Sequence, residues 1–164
     1  MIEKTYPITE KLILNALNLV KELRLQLDQE VEALKNTQNA ELINTIANSK
    51  KQLVVQLELF NTQWGQILAT EVLANNQEGI TEYFQRAAAA GILTDELIHQ
   101  WTQIQTFCSE CKALNDQNGA SIAMLARHTE RSLHILKGKS HTSNTYGPDG
   151  SSQSELHIRP LISV

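Results

Sequence analysis

The 164-residue chain has few of the residues that interrupt regular structure, with seven glycines and three prolines. Neither type occurs between Pro7 and Gly65, and a stretch so free of backbone breakers favours long helices. Aromatic residues make up only 5%, so leucine and isoleucine must supply most of the core, as in packed helices rather than a β-sandwich. No apolar run approaches the roughly 20 residues needed to span a bilayer. These scarcities predict an all-α chain.

Charge and known motifs exclude further classes of protein. The 14 basic and 18 acidic residues are well mixed and give a net charge of −4, so the basic stripe of a nucleic-acid binder is missing. Residues 1–7 lack the basic and apolar regions of a secretory signal peptide. The sequence also has neither a glycine-rich phosphate loop nor a nucleophile elbow. We therefore expect a cytoplasmic protein that is not an enzyme, needs no cofactor and does not insert stably into membranes.

Apolar residues that recur in steps of three and four predict two long helices, which we expect to form an antiparallel hairpin. Thr9 is the predicted N-cap of the first helix, and Thr37 or Asn39 that of the second. Lys50 is the single polar member of the second apolar seam, a position at which a polar residue can fix the register of packed helices. The first seam consists of Ile13, Ala16, Val20, Leu23, Leu27, Val31 and Leu34, and the second of Ile43, Ile46, Lys50, Leu53, Leu57, Phe60, Trp64 and Ile67.

A short helix over residues 80–90, stopped by Gly91, is predicted to precede a last helix of about 44 residues and about 66 Å. The Asn118-Gly119 dipeptide is compatible with a turn, but the apolar phase continues across it and favours an unbroken helix. The last seam consists of Trp101, Ile104, Cys108, Cys111, Asn115, Asn118, Ile122, Leu125, Thr129, Leu133 and Leu136. The polar, turn-rich residues that follow predict a flexible tail. We thus expect an elongated three-helix, coiled-coil-like bundle over residues 1–138 and a tail with a docking element over residues 139–164.

Cys108 and Cys111 are the only residues that suggest catalysis, as a thiol-redox pair or half of a zinc site. Both fall within a helix at successive seam positions, and no second cysteine pair is present to complete a zinc site. The pattern favours two small core residues instead. The five histidines show no metal-ligand spacing, so no metal site is predicted.

Asn115 and Asn118 also lie on the last seam, next to Gly119. Two interpretations remain open from the residues alone. Either the asparagines set the register of the helices, or they leave a face of the helix open for hydrogen bonds to a partner.

The order of short elements near the C-terminus resembles the FlgN family of flagellar export chaperones. The matching residues are Leu114-Asn115-Asp116-Gln117-Asn118-Gly119, then Ile122, Leu133, Leu136 and Gly138, and then Tyr146-Gly147-Pro148-Asp149-Gly150. The family has an Asn-x-x-Asn-Gly element in a long C-terminal helix and a Tyr-Gly-x-x-Gly element in a flexible tail. The cysteine pair and the apolar end after Glu155 are not part of this pattern.

The resemblance implies a chaperone that binds the hook-filament junction proteins FlgK and FlgL. It would keep their C-terminal helical segments from self-association and deliver them to the export apparatus. Further partners implied are the flagellar export gate and the export ATPase, with Tyr146 as the residue that docks on the gate. The implied partner-binding residues are Asn115, Asn118, Gly119, Ile122, Leu125, Leu133 and Tyr146.

Two alternatives need no export client. The first is a coiled-coil homo-oligomer, a scaffold or adaptor whose apolar seams are covered by further copies of the chain. The second is a redox or metal protein built on Cys108 and Cys111.

Overall fold

The structure is a computed structural model that describes residues 1–36 and 39–136, the side chains of residues 128, 129 and 132–136 excepted. Four helices follow one another: α1 Ile2–Lys35, α2 Ala40–Thr70, α3 Gln77–Ala89 and α4 Asp95–Leu136. Within these described ranges there is no strand, and the predicted all-α fold is confirmed. Among the described residues, no helix combines the length and the apolar character that a membrane-spanning segment needs.

Helices α1 and α2 form the predicted antiparallel hairpin. Glu30 of α1 pairs with Lys50 of α2 near the connection, while Thr5 at the start of α1 reaches Glu71 just after α2. The Asn39 side chain caps α2 by accepting a hydrogen bond from the Leu42 N–H at 3.2 Å, as predicted for one of the two proposed caps. The other, Thr37, lies outside the described residues.

The first helix begins earlier than expected, and the prediction that Thr9 caps it was wrong. Helix α1 starts at Ile2 and includes Pro7, whose missing N–H removes only one backbone bond close to the helix start. Tertiary packing stabilises this extra turn, because Ile2 and Tyr6 are buried in the core. Thr9 is fully buried, and its hydroxyl lies 2.8 Å from the Tyr83 hydroxyl.

Residues Met1–Asn118 form the first of two compact units. Aliphatic side chains fill its core, together with an aromatic cluster in which the ring centroids of Trp64 and Trp101 lie 5.4 Å apart. The other members of the aromatic cluster are Phe60, Tyr83 and Phe84. Five of the aromatic residues that the structure describes are therefore gathered where α2, α3 and α4 meet.

The second unit begins at Gly119, and its described part is the remainder of α4 up to Leu136. Helix α4 continues through Gly119, as the preserved apolar phase predicted. The predicted boundary at Gly138 and the tail that follows it lie outside the described residues.

Candidate partner-binding site

The N-terminal part of α4 packs on the bundle through side chains spaced seven residues apart. Its buried members are Leu97, Ile104, Cys111 and Asn118. Trp101, Phe107 and Leu114 pack partly buried beside them. This is a heptad pattern in which the helix keeps one narrow face towards its neighbours.

The interpretation of both cysteines as core residues was wrong for one of them. Cys111 is buried, but Cys108 is exposed, because the larger Phe107 side chain occupies the core at that level. Desolvation raises the pKa of both thiols, that of Cys111 to about 11. Both cysteines are free. Thiols with raised pKa values are poor nucleophiles near neutral pH, so the pair has little of the reactivity that a redox motif requires.

Asn118 lies at the point where α4 meets α1, and it is only 2% exposed. Its amide nitrogen donates to the Leu27 carbonyl oxygen at 3.1 Å and to Glu30 Oε2 at 2.8 Å. Both donor hydrogens of this amide are therefore used inside the fold. Of the two interpretations of the seam asparagines, the register interpretation fits the contacts of Asn118.

Glu30 is the residue of this network that the sequence did not reveal. Its side chain is fully buried, and Lys50 Nζ lies 2.8 Å from Oε1 and 2.7 Å from Oε2. A buried carboxylate needs such partners, since an isolated charge in the interior is strongly unfavourable. Most glutamates on helices face solvent. The one signal that pointed here was Lys50 itself, a cation on an otherwise apolar seam.

The remaining predicted residues of α4 differ in exposure. Asn115 and Gly119 are exposed, and Ile122 is 40% exposed despite its apolar side chain. Leu125 is half-buried. For Leu133 the structure describes only the backbone, and Tyr146 lies outside the described residues.

Within the second unit, Gly119, Ile122 and Ala126 recur at steps of three and four and lie on one face of α4. We call these three residues the α4 stripe. All three are exposed, and a Cβ atom added at Gly119 would have no neighbour within 4 Å. The stripe thus presents small and apolar groups together with accessible backbone, a surface suited to packing against another helix.

The described part of the chain contains no group of three or more His, Cys, Asp or Glu residues arranged to hold a metal ion. The buried carboxylate Glu30 is paired with Lys50, and the buried Glu71 accepts a hydrogen bond from Thr5. The α4 stripe therefore offers a partner small and apolar contact groups.

Residues 8–154 match the family model described as FlgN protein. No curated protein and no solved structure matches the chain.

Proposed function

Because the chain belongs to the FlgN family of flagellar export chaperones, we propose that it binds the C-terminal helical segments of FlgK and FlgL. The observation that carries this proposal is the exposed α4 stripe. In this stripe Ile122, which is 40% exposed, lies between the small residues Gly119 and Ala126 on one face of the helix, an arrangement that lets a second helix pack closely. The chaperone would hold each segment until the export apparatus receives it.

The stripe matches the shape of a helical client. An amphipathic helix docks by placing its apolar residues against a complementary apolar strip. Gly119 allows the two backbones to approach closely, and Ile122 supplies the apolar contact. The Asn115 amide, which lies on the same face of α4 as the stripe, is exposed and is available for a hydrogen bond to the client.

Two further parts of the proposal concern residues whose side chains are not described. We propose Leu133 as a client contact because it continues the predicted seam of α4. We propose Tyr146, in the element Tyr146-Gly147-Pro148-Asp149-Gly150, as the residue that docks on the export gate. The family resemblance supports both assignments.

The client proposal is tested by calorimetric titration with the C-terminal segments of FlgK and FlgL. The variant Ile122→Asp places a charge on the stripe and is expected to weaken binding at least tenfold. Val54→Asp is the matched control, because Val54 of α2 is 43% exposed and Ile122 is 40% exposed. The control should bind like the unchanged protein, and both variants should keep their helical circular dichroism.

Equal binding by the two variants would show that α4 is not the client surface. Failure of the unchanged protein to bind either segment would contradict the proposal as a whole. In that case light scattering over a range of protein concentrations tests the homo-oligomer alternative, which predicts a mass above that of a monomer without any client.

A further inference from the structure

Three helices of the first compact unit meet at one buried polar cluster. Glu30 comes from α1, Lys50 from α2 and Asn118 from α4, and we call these three residues the polar clamp. Glu30 Oε2 accepts hydrogen bonds from both Lys50 Nζ, at 2.7 Å, and Asn118 Nδ2, at 2.8 Å. Oε1 accepts a second bond from Lys50 at 2.8 Å. The carboxylate therefore makes all three of these hydrogen bonds only when the three helices are in place.

The packing of α4 on α1 repeats itself along the helices. Cys111 Sγ lies 3.9 Å from the Val20 carbonyl oxygen, and Asn118 Nδ2 lies 3.1 Å from the Leu27 carbonyl oxygen. Both pairs are separated by 91 residues in the sequence, so α4 runs parallel to α1 and offers equivalent positions one heptad apart. Apolar heptads alone discriminate poorly between such positions, and a buried polar residue is the usual way to specify one of them.

The clamp distinguishes these otherwise similar registers. If α4 slid by one heptad so that Asn118 met the Val20 carbonyl, the residue at the place of Glu30 would be Leu23, which has no acceptor for the amide. Glu30 would at the same time lose one of its donors. A buried network that is fully satisfied in only one arrangement favours that arrangement over its alternatives.

We propose that the polar clamp sets the register of α4 on the hairpin, and that Asn118 is a positioning residue and not a client contact. The register in turn determines which residues of α4 are buried and at which residue the exposed stripe begins. Asn118 immediately precedes Gly119, the first residue of the stripe. The role of the clamp for client binding rests on the proposed function, whereas its role in register does not.

Cysteine cross-linking reports the register directly. Arg24 of α1 forms an ion pair with Glu110 of α4, so cysteines at these two positions should be joined by a short bis-maleimide in the native register. A slide of one heptad would bring residue 24 opposite Gln117 in one direction and opposite Gln103 in the other. The experiment uses the full chain, without any client, after Cys108→Ser and Cys111→Ala have removed the natural thiols.

In this background we expect the 24–110 pair to cross-link at least ten times faster than the 24–117 and 24–103 pairs. Asn118→Leu removes the discriminating amide but leaves Glu30 paired with Lys50, so that no buried charge is left alone. This variant should bring at least one slipped pair within threefold of the native pair while circular dichroism stays helical. Asn115→Leu is the matched control, an exposed asparagine on the same helix, and should keep the tenfold preference.

A second variant, Glu30→Leu with Lys50→Leu and Asn118→Leu, removes the whole clamp and leaves no charge buried. It is expected to lose the register preference as well, and it decides the matter if Asn118→Leu alone does not fold. A tenfold preference for the 24–110 pair in a folded clamp variant would overturn the proposal, because apolar packing would then be sufficient to set the register. Since no client is present, this result is independent of whether FlgK and FlgL segments bind.

Discussion

Gly119 and Gly79 are both helical glycines, but their surroundings are opposite. A Cβ atom at Gly119 would meet nothing within 4 Å, whereas one at Gly79 would lie 1.9 Å from the Ala74 carbonyl oxygen. Gly79 is therefore required by close packing at the start of α3. Gly119 has no such requirement in the free protein, and its lack of a side chain is useful only if something else approaches the helix there.

These surroundings predict opposite effects of alanine on stability. Gly119→Ala should raise the free energy of unfolding by about 1 kcal/mol, the ordinary difference in helix propensity between the two residues. Gly79→Ala should lower it by about 2 kcal/mol through overpacking. Urea unfolding followed by circular dichroism measures both. A Gly119→Ala variant that is less stable than the unchanged protein would contradict the open environment described for Gly119.

The Cys111 thiol should react slowly, because burial raises its pKa to about 11. At pH 8 we expect iodoacetamide to modify it about tenfold more slowly than the same residue in the urea-unfolded chain, since fewer thiolates form at a raised pKa. The rate should still be rising at pH 10. Mass spectrometry of a Cys108→Ser variant measures this profile, and a plateau below pH 9.5 would show that the thiol is not desolvated.

At the scale of the helices, α2 and α3 end in the same backbone motif with different residues at its left-handed position. After α2 the Leu73 N–H donates to the Leu68 carbonyl at 2.8 Å and the Val72 N–H to the Ala69 carbonyl at 3.0 Å. Ile92 and Gly91 make the equivalent bonds after α3. The left-handed residue is Gly91, with φ +79°, in one case and Val72, with φ 58°, in the other. Valine is strained in this conformation and glycine is not.

Val72→Gly should therefore stabilise the fold by about 1 kcal/mol, the lower end of the cost of a left-handed residue with a Cβ atom. The loss of the valine side chain should matter little, because it is 85% exposed. Gly91→Val is the reciprocal variant and should destabilise by a similar amount. Thermal unfolding of the two variants and of the unchanged chain shows whether Val72→Gly raises the melting temperature and Gly91→Val lowers it. An unchanged or lower melting temperature for Val72→Gly would contradict the strain described at Val72.

The helices could be predicted from the sequence because their apolar residues follow a regular spacing and few glycines interrupt it. The start of α1 and the choice of core residues in α4 could not be predicted in this way, because they depend on contacts between residues that are distant in the sequence. The first turn of α1 exists because Ile2 and Tyr6 are buried by other elements. In α4, the spacing of three and four residues between apolar positions fits Phe107 as well as Cys108. Phe107 is the one that packs against the core, because the space there accommodates the larger side chain.

At the scale of the whole molecule, the residues of the Asn-x-x-Asn-Gly element lie in two different environments. Asn118 is buried and hydrogen-bonded to α1, while Asn115 and Gly119 are exposed. The sequence could place all three on one long helix but could not separate these roles, because the partner of Asn118 is Glu30, which is 88 residues away in the chain. We propose that the buried residue positions α4 and that the exposed ones meet the client.

Hydrogen exchange shows whether the client covers the α4 stripe, with the full chain measured alone and with a saturating FlgK C-terminal segment. We expect the segment to slow exchange of the α4 amides from Gly119 to Leu136 at least tenfold. The amides on either side of Lys50 in α2, already protected in the free protein, should change little. Slowing confined to α1 and α2, with no change after Gly119, would contradict the assignment of the α4 stripe as the client surface.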